Sequence, residues 1–143
     1  MKSLCLFTLL AGLMVQPLFA QSPDTSRDGV FVHISHGSDN AHRLLMALNM
    51  ANIMADDHDV LVYMDINAVN VVLEDADDVA FSHFPSAQTL LASLKEKGVI
   101  LMACPGCLKV IDKTGDDLMD GVVLADKTRF FSFTKGRILS LDY

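Results

Sequence analysis

Short, largely apolar segments alternate with helical segments along this chain, and this alternation constrains the fold more than any other feature of the sequence. Five segments are rich in β-branched and aliphatic residues and have the length of strands: residues 30–34, 60–64, 99–102, 122–124 and 137–141. Strands without a polar face are typical of a parallel sheet that helices cover on both sides. The sequence therefore predicts an α/β fold, a three-layer α/β/α arrangement with a mostly parallel sheet of about five strands.

The segments between these strands carry helix signals. Residues 40–54 form a helix that is apolar on most sides, so we expect the sheet to cover one side and another element, or another subunit, to cover the rest. Ser86 caps an amphipathic helix over residues 87–97, and Asp126 caps a later helix that is rich in phenylalanine. Residues 67–79 are ambiguous: their apolar part, residues 69–73, fits a short helix or a strand, and residues 74–78 are expected to form a solvated loop.

The first residues have the pattern of a secretory signal peptide. Lys2 precedes a nearly continuous apolar run, and Ala20 is a small residue suited to cleavage. An uncleaved amino-terminal anchor is the alternative. We expect a signal peptide over residues 1–20, a flexible polar tail over residues 21–28 and one domain over residues 29–143, in a protein that is periplasmic or secreted.

Charge and motif content limit the classes of function. The chain has a formal net charge of −7 at pH 7, and loss of Lys2 with the leader makes it more negative. This balance argues against nucleic acid and anionic membranes as partners. Hydrolase triads, phosphate-binding glycine loops and paired catalytic carboxylates are not recognisable, so the sequence leaves open whether the protein is an enzyme.

Two cysteines stand where a buried strand gives way to a helix. Cys104 precedes Pro105, a residue suited to the first position of a helix, so Cys104 is predicted to cap that helix. The helix amino terminus favours a thiolate, which makes Cys104 the better nucleophile, and Cys107 lies one turn further on. A disulfide across so short a loop would restrain the unfolded chain little, although an inert structural disulfide remains an alternative.

Histidines are the next candidates. His36 follows the first strand, at the edge of a parallel sheet where ligands usually bind, and it would meet Cys104 if the first and third strands were neighbours. His33 lies on one face of the first strand and is interpreted as a packed or interface histidine, while His42 is a further residue near this edge.

A metal site is the alternative use of the two thiols. Cys104 and Cys107 can serve as ligands for copper(I), or supply half of a zinc site that would need two more ligands. The methionines Met46, Met50 and Met54 recur at helical spacing and indicate core or subunit contacts rather than a ligand set. Outside this alternative, the sequence predicts no cofactor.

Three segments together resemble the DsrE/DsrF-like family. They are the strand, loop and helix that begin at residues 33–37, the strand-end cysteines of residues 99–107, and the carboxyl-terminal residues 136–140. The resemblance implies a homo-oligomer, often a trimer or hexamer, and sulfur carried as a cysteine persulfide. It implies that Cys104 accepts sulfur and that Cys107 can resolve the persulfide or a disulfide. Our first hypothesis adds that His36, from its place at the sheet edge, assists, and that a sulfur-relay or thiol redox protein is the partner.

Overall fold

A parallel sheet forms the centre of the protein, for which the computed structural model describes residues 26–143. Its strands are β1 (Gly29–Ile34), β2 (Asp59–Met64), β3 (Ile100–Ala103), β4 (Val122–Leu124) and β5 (Ile138–Asp142). They lie in the order β4-β3-β2-β1-β5, and every neighbouring pair is parallel. The predicted α/β class with a five-stranded parallel sheet is confirmed.

Helices connect the strands, and most begin at the predicted caps. They are α1 (Ala41–Met54), α2 (Ala87–Glu96), α3 (Pro105–Val110) and α4 (Lys127–Ser132), with 3-10 helices at Ser38–Asn40, Ile66–Val72 and Gly115–Asp117. The side chains of Ser86 and Asp126 accept hydrogen bonds from backbone N–H groups of the helices that follow them. These bonds satisfy donors that a helix start otherwise leaves unpaired.

The connections place the helices on two faces of the sheet. Each connection from β1 to β4 moves one strand in the same direction, so right-handed crossovers put α1, α2 and α3 on one face. The return from β4 to β5 runs the other way and puts α4 on the opposite face. The ring of Phe130 in α4 accordingly lies edge-on to Phe31 at 5.8 Å and to Tyr63 at 5.1 Å between centroids. The three-layer arrangement is therefore present.

The two faces are covered unequally. In β1, the side chains of Val30, Val32 and Ile34 are almost completely buried, whereas the alternating Phe31 and His33 are only partly buried. Because successive side chains of a strand point to opposite faces, the main core lies under α1 and α2 and the α4 face stays partly open. The candidate site described below uses this more open face.

The structure decides one segment that the sequence left open and differs from the prediction at the edge strand. The ambiguous segment contains a short helix, the 3-10 helix Ile66–Val72, while α3 ends at Val110, after which Asp112 adopts a positive φ of 55°. The edge strand β5 is not covered on both sides, since Ile138 and Leu139 remain about half exposed. An edge strand has a neighbour on one side only, which the apolar pattern of a single segment does not reveal.

The predicted signal peptide over residues 1–20 lies outside the described residues, as does most of the predicted tail. The last residues of that tail are tied to the domain: Arg27 donates to the Asp57 carbonyl at 3.0 Å, and Asp28 pairs with Arg137. Within residues 26–143, no helix combines the length and the apolar character that crossing a membrane requires.

Candidate functional site

Cys104 occupies the position that the sequence predicts, immediately after β3. Its backbone N–H donates to the Met64 carbonyl at 2.9 Å, which continues the β2–β3 pairing by one residue. Its side chain then caps α3, with Sγ accepting from the Cys107 N–H at 3.4 Å and Pro105 as the first helical residue. The side chain is partly exposed and the thiol is free.

Hydrogen bonds activate the Cys104 thiol. Burial alone would raise its pKa, but the Tyr63 hydroxyl, the Cys107 N–H and thiol, and the Gly106 N–H all donate towards Sγ, and the net result is a lowered pKa. Donors that point at a sulfur favour its anionic form. With only six residues in α3, these individual donors matter more than the dipole of the helix.

Cys107 has the opposite character. Its Sγ accepts a hydrogen bond from the Ile66 N–H at 3.1 Å, yet burial and the neighbouring Cys104 raise the pKa of this thiol. Cys104 is therefore the more readily ionised sulfur of the pair, and the Cys107 thiol donates to it. The two thiols thus differ in the direction of their pKa shifts.

The Ile66 N–H reaches Cys107 through an unusual backbone. Ile66 has a φ of 46°, in the left-handed region that β-branched residues rarely adopt, and its side chain is 60% exposed. Strain of this kind persists only where the surrounding structure holds it in place, and it is concentrated at functional sites. Here the conformation places a hydrogen-bond donor against the second thiol.

Tyr63 is held against Cys104 by aromatic neighbours. Its ring stacks on Phe31 at 6.4 Å and on His33 at 5.6 Å between centroids, and Phe130 packs against it in an edge-on arrangement. Burial, together with the hydrogen bond to Cys104, raises the Tyr63 pKa far above its ordinary value. The hydroxyl thus keeps its proton and acts as a hydrogen-bond donor to the thiolate.

His33 lies between two carboxylates. Its Nδ1 is 2.6 Å from Oδ1 of Asp142 and its Nε2 is 3.0 Å from Oδ2 of Asp65. Burial lowers the His33 pKa, but the two carboxylates outweigh it and the net pKa is raised. The sequence predicts a packed or interface histidine here, and the structure places the partly buried His33 between the carboxylates of Asp65 and Asp142.

His36 does not meet the thiols through adjacent strands, because β2 separates β1 from β3. Its ring contacts are Asp39, at 2.7 Å from Nδ1, and Arg43, at 3.2 Å from Nε2. Since arginine can only donate, Nε2 must accept and Nδ1 carries the proton. Both ring nitrogens are thus engaged within the loop and α1.

The loop of His36 nevertheless packs against the 3-10 helix that begins at Ile66. A Cβ at Gly37 would lie 2.5 Å from the Asn67 carbonyl oxygen, so this close approach requires glycine. Asp39, which pairs with His36, also receives a hydrogen bond from the Asn67 side chain. His36 therefore contacts residues that pack against the 3-10 helix beside the thiols, and it is not among the residues that contact the sulfurs.

The remaining histidines lie elsewhere. His42 stacks on Phe81 at 5.0 Å, and His58 pairs with Asp57 at the opposite end of the sheet, where β2 begins. Among residues 26–143, no group of three or more histidine, cysteine and acidic side chains is arranged to hold a metal ion. The thiol pair is thus the only part of the predicted metal alternative that these residues supply.

Sequence reasoning missed Tyr63, Asp65 and the backbone of Ile66 as parts of the site. Tyr63 and Asp65 lie at the end of the second predicted strand, on the edge where His36 and Cys104 were already expected. Knowledge that the second strand lies between the first and the third would have identified them.

Comparisons with known proteins agree with this architecture. The sequence profile of the DsrE/DsrF-like family matches residues 28–135. The ychN protein from E. coli has a similar structure, with a TM-score of 0.63 and 16% sequence identity over 80% of this chain and 99% of that one. MTH1491 from Methanobacterium thermoautotrophicum, described as a protein of unknown function, gives a TM-score of 0.55 and 21% identity over the same shares. No curated protein matches the sequence.

Proposed function

The chain belongs to the DsrE/DsrF-like family, and we propose that it accepts sulfane sulfur on Cys104 and transfers or releases it with the help of Cys107. The family suggests a function related to sulfur transfer. The observation that carries the finer assignment is the position of Cys104, whose Sγ caps α3 and accepts from the Cys107 N–H at 3.4 Å; in keeping with it, the Cys104 pKa is lowered and the Cys107 pKa is raised.

The first step is nucleophilic attack by the Cys104 thiolate. It attacks the terminal sulfur of a persulfide donor, R–S–SH, so that a new sulfur–sulfur bond forms at Cys104 and the donor leaves as R–S⁻. No net oxidation occurs, because the sulfane sulfur moves between two thiols. Tyr63 contributes by stabilising the attacking thiolate while keeping its own proton.

Two fates are open to the Cys104 persulfide. An acceptor thiolate can take the terminal sulfur, which restores the Cys104 thiolate. Alternatively, Cys107 attacks Sγ of Cys104, a Cys104–Cys107 disulfide forms and hydrosulfide leaves with the proton of the Cys107 thiol. The second route oxidises the two cysteines and reduces the sulfane sulfur, so a thiol redox protein must supply two electrons to reset the pair.

His36 assists in this proposal by supporting the site. It pairs with Asp39, and Asp39 in turn binds the side chain of Asn67, next to the residue whose N–H reaches Cys107. This chain of contacts connects the loop after β1 to the resolving thiol.

The cellular setting of the proposal follows from the sequence. We propose an exported protein, periplasmic or secreted, that works with a sulfur-relay or thiol redox partner. We also propose a homo-oligomer, since Phe131, Ile138 and Leu139 expose apolar surface around α4 and β5. Sedimentation of the purified protein at several concentrations would test its oligomeric state.

Mass spectrometry of the thiol peptides tests the proposed chemistry. The reduced protein is treated with a small-molecule persulfide, alkylated and cleaved, and the peptide that carries both cysteines is fragmented to locate the added sulfur. We expect one added sulfur on Cys104, loss of this adduct in Cys104→Ser and a longer-lived adduct in Cys107→Ser. Equal labelling of both thiols, or none, would contradict the assignment.

Copper(I) or zinc binding by Cys104 and Cys107 is the alternative proposal. Nothing in residues 26–143 adds a third ligand to the pair, so the structure gives this alternative no particular support. Metal analysis after anaerobic reconstitution would favour it only if bound metal disappears in both Cys104→Ser and Cys107→Ser while sulfur loading is absent.

A further inference from the structure

The end of the sheet carries a row of side chains that leads from its surface to Cys104. Asp142 in β5, His33 in β1 and Tyr63 in β2 occupy the same register on neighbouring strands. Tyr63 is also in register with Met102 of β3, two residues before Cys104. Because residues two apart in a strand share a face, this row continues to the thiol.

His33 is positioned to hold the donors of both thiols. Its ring stacks on Tyr63, at 5.6 Å and an interplanar angle of 24°, and Tyr63 donates to Cys104. Its Nε2 lies 3.0 Å from Asp65, the residue directly before the Ile66 N–H that donates to Cys107. The second carboxylate, Asp142, binds the other ring nitrogen and fixes the orientation of the imidazole.

We propose that His33 is a positioning residue for the sulfur chemistry, and that it acts on Cys104 through Tyr63. This inference rests on the proposed function, which gives the reason for activating Cys104. The effect of His33 itself is on the ionisation of the Cys104 thiol and does not require sulfur transfer. Phe31 and Phe130 contact the Tyr63 ring on other sides, and His33 stacks on it at 5.6 Å while two carboxylates hold the imidazole. Loss of the imidazole frees Tyr63 to move its hydroxyl away from Sγ.

A double-mutant cycle on the Cys104 pKa tests this route. The pKa is measured from the pH dependence of alkylation; tandem mass spectrometry localises the label to Cys104 or Cys107, which share one peptide, and separates both from Cys5. We expect His33→Ala to raise the Cys104 pKa by about half a unit, which is a roughly threefold loss of thiolate at a pH below that pKa. In a Tyr63→Phe background the same substitution should change nothing further, because residues that act through one contact are not additive.

Two further variants control for folding and for general electrostatics. His58 also contacts a carboxylate, that of Asp57 at 2.6 Å, but lies at the far end of the sheet. His58→Ala should therefore leave the Cys104 pKa unchanged. His33→Phe keeps a ring against Tyr63 and should retain most of the wild-type pKa of Cys104. This variant also provides the test if His33→Ala does not fold.

Equal shifts from His33→Ala in the wild-type and Tyr63→Phe backgrounds would overturn the proposal, as would a full shift in His33→Phe. These outcomes are independent of sulfur loading. A protein that shows the predicted pKa cycle but takes up no sulfur would refute the proposed function and leave the role of His33 intact.

Discussion

Replacement of Tyr63 by phenylalanine removes one hydroxyl and leaves the ring, so it isolates the hydrogen bond to Cys104. Phe31, Phe130 and His33 still contact the ring, and the packing around it is retained. We therefore expect Tyr63→Phe to fold like the wild type. Its effect should be confined to the charge state of the thiol.

The size of the effect follows from the hydrogen bond. A hydrogen bond to a charged group contributes about 1.5–3 kcal/mol, and partial exposure of Cys104 favours the lower end. Since one pKa unit corresponds to about 1.4 kcal/mol, we expect the Cys104 pKa to rise by about one unit. At a pH below that pKa, the thiolate fraction and the alkylation rate fall about tenfold.

The assay is the rate of iodoacetamide labelling at Cys104 as a function of pH, resolved by peptide mass spectrometry. Tyr143→Phe is the matched control, because it removes the other of the two tyrosine hydroxyls in the chain. A Cys104 pKa that stays within about 0.3 units of wild type in Tyr63→Phe would refute the reasoning, since a hydrogen bond to a thiolate cannot contribute so little.

Three further predictions concern the surrounding site. Cys107→Ser should lengthen the lifetime of a Cys104 persulfide at least severalfold, as followed by mass spectrometry, because no internal thiol can attack it; an unchanged lifetime would exclude resolution by Cys107. Ile66→Gly should leave the free energy of unfolding unchanged or raise it by up to about 1 kcal/mol in urea denaturation, because glycine adopts the positive φ without strain; a loss above about 1 kcal/mol would contradict this. The raised His33 pKa means that the folded state binds this proton more tightly than the unfolded chain. The stabilisation is therefore complete below the unfolded value of about 6.5 and is lost as pH rises through the higher folded value, so the decline should disappear in His33→Phe.

The sequence predicts those parts of the site that depend on local signals. Cys104 is recognisable as a helix cap because an apolar strand precedes it and Pro105 follows it. The structure confirms that position, with Sγ accepting from the Cys107 N–H. Helix caps, strand ends and the class of parallel sheet depend on a few neighbouring residues, so they can be predicted without knowledge of the tertiary structure.

The rest of the site depends on strand order, which local patterns do not contain. Tyr63 and His33 meet because β2 and β1 are neighbours in a given register, and the same order keeps His36 away from the thiols through the interposed β2. The left-handed Ile66 has no local signal at all, because β-branched residues disfavour that conformation and only the packing around it imposes it.

The account centres on Cys104 as the activated sulfur of the pair, and parallel titration of both thiols in the wild-type protein tests this most directly. Reduced protein is labelled over a range of pH values, and fragmentation of the peptide that carries both cysteines gives the labelling rate of each within the same sample. The account predicts that Cys104 reaches its half-maximal rate at a distinctly lower pH than Cys107. Coincident curves, or a Cys107 curve at the lower pH, would contradict it.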